Sequence, residues 1–431
     1  MSSSLKKVNI SYTENYKWLE NNNKIVLINR KNGSWMRISR ECFDILNDAV
    51  ESGLTYCDLE NYFESEEDKE YINTLLNNLL KSEILVDTVS QEENACLESA
   101  DICLTDRCNL YCKHCVVSAG TAQEKEKIDT RTILDTIRKI IECEPKLITL
   151  TGGEPTLRKD FSEIVNYIIA NSTARISVMT NGTLITNEMA QLFAEHNISV
   201  NISLDGVDEE TCSLIRGKGV FGKVIQTIEK LKQYGVKDIV MSMTVTKTTA
   251  RREKEFEKLC DTLGIKCMFR RLHIGGRAVE NKEKLELNEK DVLAFEEFDE
   301  NAPDIYWNIF QDNIRPFTCG AGKTSLGFSA NGDIYPCSAF DYDFTKIGNI
   351  YKITSLKEFI KNNKIINCFG MKKFEEFTPY GGKICANCNV RYFCWTCPNM
   401  ICDYLKDETL FQNRCTIRKK YLTKLIWEES Y

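Results

Sequence analysis

The spacing of apolar and polar residues divides the chain into three regions, and the first covers residues 1–92. Within residues 24–39, two β-rich runs flank an Asn-Gly pair, which predicts a hairpin. Apolar residues at helical spacing then predict a helix capped by Ser39 and a second helix over residues 72–80. A closing strand is expected at 83–87. This pattern predicts a small winged-helix-like unit.

Strand-like and helix-like segments alternate in the second region, residues 100–280. This alternation predicts a parallel sheet, and six units fit a partial (βα)6 barrel better than a full barrel of eight. In such barrels the chemistry lies at the C-terminal ends of the strands. The predicted strands are 101–106, 147–152, 176–181, 200–206, 239–246 and 267–272, with helices around 130–142, 160–171, 186–196, 223–234 and 251–263.

Cysteine pairs, glycine and proline mark the third region, residues 317–431, which has few long periodic segments. This composition predicts a small domain held together by metal. Residues 281–316 are expected to form a charged bridging segment, and polar residues 90–99 form the expected linker after the first unit. The predicted fold class is therefore α/β, a partial barrel between the winged-helix-like unit and the metal-binding C-terminal domain.

Length and charge narrow the class of protein only slightly. The 431 residues allow two or three domains, and the net charge of −7 argues against a nucleic-acid partner. No apolar run approaches the roughly 20 residues that a membrane helix needs, and the start of the chain lacks the apolar core of a signal peptide. We expect a cytoplasmic protein that contacts no membrane.

The 20 cysteines are the main indication of chemistry. A reducing cytosol does not sustain a disulfide framework, so metal ligands, catalytic thiols and buried apolar residues are the alternatives. Three cysteines lie between positions 108 and 115, and six lie between 385 and 415. This clustering favours metal binding for both groups.

The first group is Cys108, Cys112 and Cys115, just after the first strand of the predicted barrel. Three thiolates on one loop can hold three irons of a cubane, and the fourth iron then stays open for a substrate. The alternative is a structural zinc site with His114 as the fourth ligand.

This CxxxCxxC motif, followed by Gly152-Gly153-Glu154 and a proline at the end of the second strand, resembles the radical S-adenosylmethionine (SAM) superfamily. The resemblance implies a 4Fe–4S cluster on the three cysteines, with the glycine-containing strand edge holding the amino group of SAM. It also implies the chemistry: reductive cleavage of SAM yields a 5′-deoxyadenosyl radical, which abstracts hydrogen from an unactivated C–H bond.

Further positions match the superfamily less specifically. Ser203 and Asp205 end the fourth strand, and Arg216 follows; the resemblance implies that Ser203 and Arg216 take the SAM carboxylate. A strand-end serine and a surface arginine are the alternative. Asn181 is expected to contact either the SAM ribose or the sheet edge, and His273 is expected to be a plain strand-end residue.

The spacing of the C-terminal cysteines resembles the SPASM domain, a carrier of two auxiliary 4Fe–4S clusters. Together with the SAM cluster, this implies three clusters in all. By this resemblance, auxiliary cluster one is held by Cys319, Cys337 and Cys397. Auxiliary cluster two is held by Cys385, Cys388, Cys394 and Cys415.

Two departures from the SPASM pattern matter. Only two residues separate Cys394 from Cys397, and Ser325 stands where some members carry a further cysteine. Auxiliary cluster one is therefore expected to keep an open iron that can bind a substrate thiolate. Alternatively, Cys368 or Cys402 completes a site, and Cys402 could displace Cys415 from cluster two. Two zinc ribbons are the alternative to iron–sulfur clusters.

The N-terminal unit resembles the precursor-recognition element of ribosomal peptide maturases, in which a leader peptide adds a strand to the sheet edge. A structural or dimerising extension is the alternative. The resemblance implies a precursor peptide as substrate and an external electron donor of the ferredoxin or flavodoxin type.

The expected product is a thioether from a cysteine sulfur to carbon, as in sactipeptides and ranthipeptides. Three alternatives stay open: a carbon–carbon crosslink, a formylglycine-type sulfatase-maturing enzyme, and a zinc-held scaffold that binds peptides without catalysis.

Overall fold

The structure is a computed structural model, which describes residues 8–86, 97–121, 125–287, 314–316, 319–362, 365, 367–394, 396–406 and 408–428. Most of the predicted linker and most of the predicted bridging segment lie outside the described residues. In the part of the chain that is described, no helix has both the length and the apolar character needed to cross a membrane.

The N-terminal elements form a three-stranded antiparallel sheet followed by three helices. The predicted hairpin and the helix cap are confirmed, and the Ser39 hydroxyl accepts a hydrogen bond from the Cys42 amide at 3.1 Å. Strand β2 was missed because its sequence is mostly polar. The elements are β1 (Ser11–Tyr12), β2 (Tyr16–Asn21), β3 (Lys24–Asn29), β4 (Trp35–Ser39), α1 (Arg40–Glu51), α2 (Tyr56–Asn61), α3 (Glu66–Lys81) and β5 (Leu85–Val86).

The central region contains the six predicted parallel strands, and the α/β fold class is confirmed. Five parallel pairings place the strands side by side in chain order. The elements are β6 (Ser99–Cys103), β7 (Arg107–Cys108), β8 (Gly120–Thr121), α4 (Thr130–Ile141), β9 (Leu147–Thr151), α5 (Phe161–Asn171), β10 (Arg175–Thr180), α6 (Asn187–Glu195), β11 (Ser199–Ser203), α7 (Glu209–Arg216), α8 (Val220–Tyr234), β12 (Ile239–Val245), α9 (Glu253–Leu263), β13 (Lys266–Arg271), α10 (Arg277–Glu280) and α11 (Lys282–Leu285).

The C-terminal region extends this sheet to nine strands, which the sequence pattern did not predict. Its first strand pairs in parallel with β6, and the next two follow antiparallel. The new strands are only two to four residues long, too short to show a period. The elements are β14 (Ser325–Phe328), β15 (Asp333–Tyr335), β16 (Gly348–Asn349), α12 (Leu356–Lys361), α13 (Phe369–Glu375), α14 (Pro398–Tyr404) and α15 (Glu408–Thr423), followed by one π-helical turn (Lys424–Glu428) and short 3-10 turns.

The N-terminal sheet is covered on both faces. One face packs on its own helices, and the other packs on the C-terminal end of the chain, where Val26 and Ile28 meet Ile426 and Trp427. This explains why five consecutive residues of β3 are buried. Hydrogen bonds cross the same contact, from Trp35 Nε1 to Ile314 O (2.7 Å), from Lys24 Nζ to Trp427 O (2.8 Å) and from Arg37 to Ile426 O (3.0 Å).

We predict that Trp427→Ala lowers the free energy of unfolding by about 3–5 kcal/mol, because this indole is 2% exposed and fills the contact between the two ends of the chain. Chemical denaturation followed by circular dichroism checks this. Tyr62→Ala is the control, since Tyr62 is 72% exposed, and it should change the value by no more than about 0.5 kcal/mol. Equal effects of the two variants would contradict the packing described here.

Candidate active site and metal-binding cysteines

The segment between β6 and β8, residues 104–119, carries Cys108, Cys112 and Cys115; it includes the short strand β7 and is called the cysteine loop. All three sulfurs face N–H groups, which suits thiolates that bind metal. The donors are the Leu110 amide to Cys108 (3.4 Å), the Ala119 amide to Cys115 (3.2 Å), Arg216 to Cys112 (3.9 Å) and Asn181 Nδ2 to Cys108 (3.8 Å). Burial raises the pKa of Cys108, and it raises the pKa of Cys112 to about 11. A bound cation must therefore drive the ionisation of these thiols.

Gly152 and Gly153 lie where β9 ends against the cysteine loop. A Cβ on Gly152 would lie 2.5 Å from the carbonyl oxygen of Thr105, and one on Gly153 would lie 2.2 Å from that of Arg107. Gly152 also has φ near +144°, which other residues rarely adopt. The close approach seen here is thus to the backbone of the cysteine loop. A contact of these glycines with SAM stays a prediction.

Glu154 is fully buried and joins the ends of β9 and β10. Its carboxylate accepts hydrogen bonds from the hydroxyls of Thr156 (2.5 Å) and Thr180 (2.7 Å) and from the amide of Asn181 (2.7 Å). Burial raises the pKa of this carboxyl despite these donors. The Asn181 side chain in turn donates to Asn109 Oδ1 at 2.9 Å, so it lies against the cysteine loop.

Asp205 contacts two basic residues, Arg216 and, on the cysteine loop, His114. Its Oδ2 lies 2.6 Å from Arg216 Nε and 2.8 Å from His114 Nε2, and its Oδ1 accepts from the Thr244 amide at 2.7 Å. Burial opposes ionisation, but Arg216 and His114 outweigh it and hold the pKa of Asp205 well below its usual range. Ser203 is the last residue of β11, half-buried at the same strand end.

His273 lies in a network that the sequence did not reveal. Its Nδ1 lies 2.9 Å from Asp403 Oδ2, and its Nε2 lies 3.2 Å from the Tyr342 hydroxyl, which donates to Asn399 Oδ1 at 3.1 Å. This network joins the end of β13 to α14. No local signal could have found it, because the partners of His273 lie 69 and 130 residues away.

The C-terminal cysteines fall into two sets. In the first set, burial raises the pKa of Cys319 and of Cys337, and charge on nearby Cys397 raises both further. The pKa of Cys337 rises to about 12. In the second, burial and the thiols of Cys394, Cys388 and Cys415 raise the pKa of Cys385 to about 12. The pairwise interactions thus follow the two sets expected from the sequence, and the assignment of these cysteines as ligands stays a prediction.

The alternative ligands lie in other surroundings. Cys402 is buried beside Tyr342, and Cys368 caps α13 by accepting from the Met371 amide at 3.4 Å. Ser325 lies in β14 and pairs with Ser99. Among the described residues, no three His, Cys, Asp or Glu side chains converge on one point as a single metal ion requires.

Comparison with known proteins agrees with this geometry. Residues 102–262 match the family described as the radical SAM superfamily, and residues 319–389 match SPASM, an iron–sulfur cluster-binding domain. Mycofactocin maturase of Mycobacterium ulcerans is 30% identical over 267 residues, covering 58% of this chain and 72% of that protein. The antilisterial bacteriocin subtilosin biosynthesis protein of Bacillus subtilis is 27% identical, covering 67% of this chain and 68% of that protein.

A solved structure, Streptococcus suis SuiB bound to its precursor peptide SuiA, superposes with a TM-score of 0.52 at 15% identity. It covers 89% of this chain and 94% of that one, and at this identity it shows the fold alone. A partial barrel with a cysteine loop after its first strand, followed by cysteine sets near its edge, defines an enzyme that uses SAM and iron–sulfur clusters. The chain belongs to the radical SAM superfamily, among the enzymes that carry a SPASM domain.

We predict that Asp205→Asn lowers the free energy of unfolding by about 3–5 kcal/mol at neutral pH, because it leaves the buried guanidinium of Arg216 without its carboxylate. The stabilisation by Asp205 is present above its unfolded pKa of about 3.9 and is lost as the pH falls through its lower folded value. The difference between wild type and variant should therefore shrink below about pH 4. Denaturant titrations across pH measure it.

The control for this experiment is Asp106→Asn, which removes an exposed carboxylate that pairs with Lys127 at 3.3 Å. It should cost no more than about 1 kcal/mol. A loss for Asp205→Asn that is as small as the control, or independent of pH, would contradict the role given to Asp205.

Proposed function

We propose that this enzyme modifies a ribosomally made precursor peptide by forming a thioether from a cysteine sulfur to carbon. The observation that carries the proposal is that Cys319 and Cys337 interact with Cys397, whereas Cys385 interacts with a separate group of cysteines, Cys388, Cys394 and Cys415. Further support comes from relatives named as a maturase and as a bacteriocin biosynthesis protein, and from the peptide bound to SuiB.

The cofactor sites follow from the cysteine sets. Cys108, Cys112 and Cys115 hold the SAM cluster, and Gly152, Gly153, Glu154, Asn181, Ser203, Asp205 and Arg216 surround the bound SAM. When bound, this cluster supplies the electron that cleaves SAM and generates the 5′-deoxyadenosyl radical. An external donor of the ferredoxin or flavodoxin type delivers that electron. Among the residues around SAM, Arg216 also contacts Asp205 and the Cys112 sulfur.

Cys319, Cys337 and Cys397 would hold auxiliary cluster one, and three protein ligands would leave one iron with an open position. A metal centre with an open position can bind and orient a substrate group. The substrate group here is the peptide thiolate, because thiolate is the natural fourth ligand of a cubane. Auxiliary cluster two, on Cys385, Cys388, Cys394 and Cys415, has four ligands and no such position.

The N-terminal unit is the docking site for the leader peptide. Its sheet, in the order β2-β3-β4, has two outer strands, and neither pairs with a further strand among the described residues. A peptide that adds a strand to either edge gains main-chain hydrogen bonds. The exposed side chain of Trp18 on β2, packed against Phe43 of α1, adds an aromatic surface at one edge.

Mass spectrometry of the peptide tests the reaction. We predict that anaerobic, reconstituted enzyme with reductant, SAM and precursor peptide yields a product two hydrogens lighter, with one cysteine protected from alkylation. Cys397→Ala should abolish the crosslink and remove one cluster, whereas the matched variant Cys402→Ala should keep both the crosslink and the iron content.

Other products would point elsewhere. A product two hydrogens lighter with every cysteine free indicates a carbon–carbon crosslink, and a cysteine converted to an aldehyde indicates formylglycine chemistry. Loss of a cluster in Cys402→Ala, but not in Cys397→Ala, would contradict the ligand assignment.

Hydrogen exchange tests the leader site. We predict that adding the leader peptide slows amide exchange in one edge strand, β2 or β4, while β3 stays unchanged because its amides are already paired on both sides. Deleting the N-terminal unit is a poorer experiment, since it would uncover Ile426 and Trp427. Unchanged exchange in both edge strands, despite saturating peptide, would contradict the proposed docking site.

A further inference from the structure

A single hydroxyl group, that of Thr396, lies between the two sets of auxiliary cysteines. Thr396 follows Cys394 by two residues and precedes Cys397 by one, and its Oγ1 lies 3.2 Å from the Cys394 sulfur. Two guanidinium groups donate to the same oxygen, Arg414 at 3.0 Å and Arg418 at 3.3 Å. Thr396 is 1% exposed and Arg414 is 5% exposed, so this arrangement is shielded from water.

The two arginines come from one face of α15, because residues four apart lie above each other on a helix. A third arginine, from the barrel, lies close enough to interact electrostatically with both. Arg271 ends β13 and interacts electrostatically with Arg414, Arg418 and Cys397. Burial and repulsion by the other two guanidiniums lower the pKa of Arg271 to about 9, even though Asp403 opposes this.

Three cations this close together in a buried site repel one another strongly, because the effective dielectric constant there is low. Negative charge nearby must offset the repulsion. Asp403 contributes one charge, but it also contacts His273 and Lys406. The sulfurs of Cys394 and Cys397 also interact electrostatically with these arginines, and they carry negative charge once they bind iron.

The guanidiniums of Arg414 and Arg418 reach the metal-binding cysteines through Thr396. Both donate to its hydroxyl oxygen, which lies 3.2 Å from the Cys394 sulfur.

We propose that Arg271, Arg414 and Arg418 form a positive bridge between the two auxiliary clusters and raise their reduction potentials. Reduction adds one negative charge to a cluster, and a nearby cation stabilises the reduced form more than the oxidised form. Net charge and hydrogen bonds to sulfur are among the factors that set such potentials. This proposal rests on the cluster assignment of the proposed function, but it does not depend on which peptide the enzyme modifies.

Redox titration followed by electron paramagnetic resonance tests the bridge in the full-length, reconstituted protein. We expect Arg414→Gln and Arg418→Gln each to lower the ratio of reduced to oxidised auxiliary cluster at a fixed potential about tenfold, which is about 59 mV for a one-electron couple. Glutamine retains an N–H donor for Thr396, so the change isolates the charge. Because the site is buried, the shift should persist at high salt.

Two variants serve as controls. Lys420→Gln removes an exposed charge from the same helix and should leave the ratio unchanged. Arg414→Lys keeps the charge and should stay within about threefold of wild type. If a glutamine variant loses iron, the lysine variant provides the test instead. A fully loaded Arg414→Lys protein with a wild-type ratio of reduced to oxidised cluster supports the bridge. A fully loaded Arg414→Lys protein whose ratio is shifted tenfold overturns it.

The remaining outcomes separate this proposal from the proposed function. Glutamine variants with full iron content and unchanged ratios would overturn the bridge and leave the cluster assignment intact. An equal shift in Lys420→Gln would also overturn it, because the effect would then reflect overall charge. A wild-type protein without auxiliary signals would overturn both proposals.

Discussion

The structure depends most on the pairing of β14 with β6. A partial barrel has two open edges, here β6 and β13, and an exposed strand edge invites unwanted pairing. The C-terminal region covers the first edge by parallel pairing from Ser325 to Phe328. It reaches the end of the second edge through the contact between His273 and Asp403. The C-terminal region, which carries the auxiliary cysteines, thus contacts the barrel at both of its edges.

This pairing also places the metal-binding cysteines. Cys319 lies just before β14 and Cys337 just after β15, so both are fixed to the sheet beside the strand that leads into the cysteine loop. The Ser338 hydroxyl donates to Asp101 of β6 at 2.6 Å and adds a side-chain link at the same point. A rigid sheet between the two proposed metal sites would suit the proposed thioether reaction, which needs the radical and the sulfur at a defined distance.

Much of the fold could be predicted from the sequence, because the features involved are local. The six barrel strands have runs of apolar residues, and the cysteine loop has a fixed short spacing. The pairing of β14 could not be predicted, because four residues show no period and the partner strand lies more than 200 residues away. The same holds for His273 and for the three arginines around Thr396, whose roles appear only when distant segments come together.

For the site itself, the sequence indicated the residue types but not their contacts. It predicted Arg216 as a ligand of the SAM carboxylate, whereas the structure also pairs it with Asp205 and the Cys112 sulfur. It assigned Gly152 and Gly153 to SAM, and the structure shows their need for close packing against the cysteine loop. A motif records which residues are needed, while the physical reason for each depends on the neighbours that folding provides.

The most direct test of this account is whether auxiliary cluster one binds the peptide sulfur. Electron paramagnetic resonance of the reduced enzyme can be recorded with the precursor peptide and with the same peptide carrying serine in place of the reacting cysteine. If cluster one binds the peptide sulfur, only the cysteine peptide changes the auxiliary cluster spectrum. An identical response to both peptides, or an unchanged spectrum under saturating cysteine peptide, would contradict this binding.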